Sequence, residues 1–228
     1  MPTHSLTPEE RFIAYYDKLR NELNTTYLHY EIAKLLRDAK NARRKEFNEA
    51  LTFFELTMLS NFFTTIMSIG RFIDRSGNSL HLDLFFNFVK NNPPLFSTEA
   101  YKNRLLAQGR DNEDCEHFVQ LHKDITATMV GQDKETIMNL PIDNLRIWRH
   151  KKLAHIEEAF VTDNIGISDN YPISIQDVDK ILVTLHEILN RYRIAYDGLE
   201  WSIGLPSVKH QIEYIFNAIN FQRESRTD

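Results

Sequence analysis

With 228 residues, 42% of them hydrophobic and 26% charged, the chain has the length of one large domain or two small ones and enough apolar side chains for a buried core. A formal net charge of −5 excludes a wholly electrostatic nucleic-acid binder, so any contact with phosphate must come from a local basic patch. A single cysteine, Cys115, excludes an internal disulfide and points to a reducing compartment, expected to be the cytoplasm, while only 7 glycines and 7 prolines weigh against a many-stranded β fold.

Met1 to Ser5 lacks the charged-then-apolar pattern of a signal peptide. Thr7-Pro8-Glu9-Glu10 is a helix start, with Thr7 as N-cap, Pro8 at the first helical position and Glu10 closing a capping box. Phe12, Tyr16, Leu19, Leu23, Tyr27 and Tyr30 then keep helical spacing, which predicts a helix to about residue 40. A second long helix is expected from Lys45 to Asp74. It is apolar nearly all round from Phe53 to Ile69, the pattern of a helix at the centre of a bundle, but Glu55, Asn61 and several hydroxyl side chains break the run and argue against a membrane span.

Ser76-Gly77-Asn78 is a turn, and Ser79 is the expected cap of a short helix through Leu82, Phe85, Phe86 and Val89, ended by Asn91-Asn92-Pro93-Pro94. Ser97-Thr98-Glu99 opens another short segment. Gly109 to Asp114 is expected to be a polar loop, and Cys115 to Val130 one helix that Gly131 ends, with a turn or two from Asp133 to Leu140. Pro141-Ile142-Asp143 starts a helix, Thr162 to Pro172 is a loop, and Ser174 with Asp177 caps a long amphipathic helix to about Tyr196. Pro206-Ser207 begins the last helix. No repeat, low-complexity tract or linker divides the chain, so residues 1–228 are expected to form a single all-α domain: an up-and-down helical bundle with additional short helices.

The densest positive charge lies at Arg149-His150-Lys151-Lys152-Leu153-Ala154-His155. An arginine with a histidine a few residues on suits work at phosphate: the guanidinium carries charge and the imidazole moves a proton. The spacing by itself is weak evidence, since Arg75 to His81 and Arg110 to His117 repeat it across a turn and an acidic loop. Arg149 to His155 differs because it follows the apolar Trp148 inside a helical stretch beside three more basic side chains.

This run resembles the Arg-(Asn/His)-Lys-x-x-Ala-His signature of HEPN domains, in particular the AbiU-type branch of bacterial abortive-infection proteins. His150 stands where asparagine is commoner. Upstream, Arg71-Phe72-Ile73-Asp74 followed by Ser79-Leu80 resembles that branch's Arg-x-x-Asp turn leading into a Ser-Leu helix. The resemblance implies a helical bundle that forms a homodimer and brings two copies of the motif into one cleft. It further implies a metal-independent endoribonuclease with no cofactor, part of phage defence or a toxin system, in which a base takes the proton of a ribose 2′-OH and a 2′,3′-cyclic phosphate is left. An antitoxin or other regulatory partner is the expected counterpart of such a toxin. Carried over residue by residue, Arg149 and His155 are the catalytic pair, with His150, Lys151, Lys152, Arg71 and Asp74 in supporting or RNA-binding roles.

Each of these residues also has a plain structural reading. His155 could be a cation favoured near a helix C-terminus, Arg149, Lys151 and Lys152 solvated surface charges, and Arg71 with Asp74 an ion pair three residues apart on one helix. On an ideal helix Arg149 and His155 lie about 120° apart and about 9 Å along the axis. They therefore share no face: either the helix distorts near Ala154, or a second copy completes the site. No HxxxH or HExxH pair, P-loop or GxGxxG occurs, and no metal is expected. The alternative to a nuclease is a non-catalytic helical module that binds a protein or a nucleotide.

Overall fold

The computed structural model describes residues 6–74, 80–149, 172–204 and 207–225, and among them every regular element is helical. The axis of the molecule is α1 (Pro8–Ala42), which Thr7, Pro8 and Glu10 start as the sequence predicts: Glu10 N donates to Thr7 Oγ1 at 3.2 Å and Thr7 N to Glu10 Oε2 at 2.8 Å. A short α2 (Arg44–Glu49) turns the chain back into α3 (Leu51–Ile73). The pairs Glu22–Arg71, His29–Asn61 and Lys40–Glu55 run backward along α3 as α1 advances, so the two helices are antiparallel.

The expected single helix from Lys45 to Asp74 is thus broken at Ala50 (φ −135°, ψ 44°) without help from glycine or proline. The break is explained by Phe47, fully buried with its ring 5.1 Å from Phe54 and 6.4 Å from Phe216; a straight helix could not place Phe47 there. Nor is all of α3 central. Its second half buries Thr65, Ile66, Ser68, Ile69, Gly70 and Phe72, whereas Phe53, Leu56 and Leu59 in the first half face solvent.

The middle of the chain forms α4 (Leu82–Asn91), a 3₁₀ turn (Pro93–Phe96), α5 (Thr98–Ala107), α6 (Asn112–Leu121) and α7 (Ala127–Met138). The nitrogen that caps α4 is His81 Nδ1, which accepts from Leu84 N at 3.2 Å; Ser79, the expected cap, lies outside the described residues. The polar loop is shorter than expected, because Asp111 caps α6 by accepting from Asp114 N at 2.8 Å. Cys115 to Val130 is two helices, with the break at His122 and Gly131 inside α7. His122 turns its ring inward, stacks on Tyr101 at 4.2 Å and sits 3.0 Å from the Ala195 carbonyl; that anchor pulls the chain out of helical geometry (ψ 143°) until Thr126 caps α7.

After α8 (Asp143–Trp148) the chain returns as α9 (Ile175–Asp197), capped by Ser174 with Asp177 as expected and closed by Gly198 at φ 73°, where a side chain would be strained. The pairs Lys34–Asp179 and Phe12–Tyr196 make α9 antiparallel to α1 as well. An aromatic core joins these helices: Phe12 lies 4.5 Å from Tyr196 and 5.2 Å from Phe96, and Phe85 lies 5.3 Å from Tyr192. The last helix, α10 (Val208–Glu224), covers the far end of α1 with Phe216, stacked on Phe54 at 5.0 Å. No helix among the described residues is long and apolar enough to cross a membrane.

Candidate functional site

Arg149 is positioned by the residue before it. Trp148 is buried at the end of α8, its ring 6.1 Å from Phe63 and 6.5 Å from Phe62 on α3. With that anchor set and the backbone still helical at φ −60°, ψ −50°, Arg149 reaches across to the C-terminal turn of α3. There its guanidinium pairs with the Asp74 carboxylate, and Nη1 donates to the Gly70 carbonyl at 3.3 Å. The same carbonyl accepts from Asp74 N at 2.9 Å, so the turn that ends α3 also shapes the seat of Arg149.

Gly70 leaves room for this approach. A Cβ on it would stand 2.6 Å from Arg149 Cδ and 3.2 Å from Nη1, so the arginine would have to shift from its present seat. A guanidinium offers five N–H donors, and the two acceptors on α3 do not exhaust them.

The one-helix ion pair between Arg71 and Asp74 does not form. Asp74 leaves the helix at ψ 125° and turns to α8, while Arg71 Nη2 turns to α1, 2.8 Å from Glu22 Oε1, and donates to Ser68 Oγ at 2.7 Å. Both pairs open onto one cleft of about 250 Å³, with Lys18 and Glu22 from α1, Arg71 and Asp74 from α3 and Arg149 on its walls, and Leu19 and Phe72 on its floor. Among the described residues three cations face two carboxylates there, a net charge of +1 from those five side chains on a chain whose formal charge is −5.

His150, Lys151, Lys152 and His155 lie outside the described residues. Of the residues singled out from the sequence, Arg149, Asp74 and Arg71 come together. Lys18, Glu22 and Gly70 were not singled out. Lys18 and Glu22 carried no signal beyond being four apart on α1, but a glycine inside the helical pattern of α3 is a mark of close approach that was there to be read.

A larger hollow of about 890 Å³ lies between the α5–α7 segment and α9 and shares no lining residue with the cleft. Its two imidazoles are committed to backbone, His122 beside the Ala195 carbonyl at 3.0 Å and His186 beside the Trp201 carbonyl at 2.9 Å. No group of three or more His, Cys, Asp or Glu side chains placed to hold a metal ion occurs among the described residues.

Among the described residues the chain is an all-α bundle, the fold class that the HEPN resemblance implies. The model of the HEPN AbiU2 family matches residues 9–218, and the chain belongs to that family. No match emerges among curated proteins or among solved structures.

Proposed function

We propose that the protein is a metal-independent endoribonuclease of bacterial phage defence or of a toxin system, acting as a homodimer. The observation that carries this is Arg149 itself: it belongs to the basic run on which the resemblance rests, and it is held by Asp74 and Gly70 at the wall of a small cleft in an acidic chain that belongs to the HEPN AbiU2 family.

In this reaction His155, whose imidazole ordinarily titrates near pH 6.5, accepts the proton of a ribose 2′-OH. The 2′-oxygen attacks the adjacent phosphorus, the bond to the 5′-oxygen breaks, and that oxygen takes up a proton equivalent to the one the imidazole removed, directly or through water, so the products are a 2′,3′-cyclic phosphate and a 5′-hydroxyl. Arg149 grips the non-bridging oxygens as negative charge builds on them, with a planar fork that a lysine does not offer. Asp74 orients that fork. On an ideal helix six residues would set Arg149 and His155 on different faces, so in this reading the guanidinium of one protomer is paired with the imidazole of its partner.

Mixing tests this directly. Arg149→Ala and His155→Ala proteins, each inactive alone, should recover part of the wild-type cleavage when their subunits exchange, since a mixed dimer holds one intact pair. A protein that sediments as a monomer yet cuts RNA, or mixtures that stay inactive although mixed dimers form, would overturn the shared site.

A further inference from the structure

The two arginines of the cleft differ in depth. Arg149 is the inner one, its side chain 19% exposed against Asp74; Arg71 is the outer one, 61% exposed at the mouth. Lys18 stands on the opposite wall, exposed and with no ion pair among the described residues, although Glu22 lies one turn further along the same helix face. Glu22 turns away from Lys18 and engages Arg71 instead. An ion pair this open to solvent is weak and readily exchanged for a better anion. A phosphodiester arriving at the mouth offers Arg71 the same oxygen geometry as the carboxylate it replaces, and Lys18 is free to meet that phosphate from the other side.

We propose that Lys18 and Arg71 form a second phosphate subsite, which binds the linkage next to the one that Arg149 grips, and that Glu22 is the resident anion that RNA displaces from Arg71. The inference rests on the nuclease reading above and narrows its substrate class to RNA with at least two consecutive phosphodiesters. A dinucleoside monophosphate, with only one, is then a poor substrate.

The test uses the full chain and short RNA strands of defined sequence in which one phosphate, on the 5′ or the 3′ side of the cut, is replaced by an uncharged methylphosphonate. Wild type should lose about tenfold or more in kcat/KM on one of the two modified strands, the penalty of leaving a charged donor without its anion. The Lys18→Gln, Arg71→Gln double variant should lose a similar factor on unmodified RNA and nothing further on that modified strand. A merely structural role would not produce this coupling to one phosphate. Binding of an uncleavable 2′-deoxy analogue should show the same variant with a salt dependence shallower by about 0.7 in slope, one phosphate contact on a single strand. Glu22→Gln should bind RNA more tightly than wild type.

Both variants change exposed or half-exposed polar groups, and an unaltered thermal unfolding midpoint confirms that they fold. If wild type cuts RNA but neither methylphosphonate costs it rate, or the penalty survives in the double variant, the subsite is wrong and the nuclease stands. If wild type neither binds nor cuts RNA, the nuclease reading fails and the subsite falls with it.

Discussion

Replacing His155 by alanine is expected to slow RNA cleavage by about 10²–10⁴-fold, the usual worth of a positioned base, while leaving the helical circular-dichroism spectrum unchanged. The size of the effect follows from the chemistry. A ribose 2′-OH is a poor nucleophile until its proton is taken, and near neutral pH an imidazole is the side chain suited to take it. Arg149→Lys is the matching change at the other half of the pair. It keeps the positive charge that Asp74 needs but loses the two-pronged grip on the phosphorane oxygens, so the rate should fall while the fold persists. Arg149→Ala is the harsher probe, because it strands the partly buried Asp74 carboxylate without its cation. A His155→Ala protein that cuts RNA at the wild-type rate would remove the base from the account.

The second large effect is expected at a residue with no functional group. Gly70→Ala should lower kcat/KM by up to about 10²-fold through displacement of Arg149 alone. The new methyl would meet Arg149 Cδ at 2.6 Å, so the side chain must swing away, and with it goes the bond from Nη1 to the Gly70 carbonyl. Inside a helix alanine is favoured over glycine by about 1 kcal/mol, so α3 itself loses nothing in helix propensity. The signature is therefore a protein that keeps its helical circular-dichroism spectrum but has a crippled site. A Gly70→Ala protein with full activity would show that Arg149 does not act from the seat it holds beside α3.

That seat also separates what the sequence discloses from what only the folded chain does. Helix starts at Thr7, Ser97 and Ser174 were legible because a cap is a local device: the side chain bonds to an amide three residues on. The long amphipathic helix ending at Asp197 was legible by its period. The breaks at Ala50 and His122 were not. Phe47 is turned inward by Phe216, far along the chain, and His122 by a carbonyl on α9. The same holds for the outer half of α3, where Phe53 and Leu56 look like core by composition but stay largely exposed.

At the site, Arg149 and Asp74 were legible because each lies within a short motif. Their pairing was less so: on spacing alone the nearer partner for Asp74 was Arg71, and only the extended backbone at Asp74 redirects its carboxylate to α8. Glu22 and Lys18 had no motif to mark them. They belong to the site through the antiparallel alignment of α1 and α3, which sequence spacing does not encode.

The most direct test of the central claim is the chemistry of the ends left on RNA. Wild-type protein incubated with single-stranded RNA in excess EDTA should yield fragments with 2′,3′-cyclic phosphates and 5′-hydroxyls. Intact RNA under those conditions, or fragments with 3′-hydroxyl and 5′-phosphate ends, would contradict it.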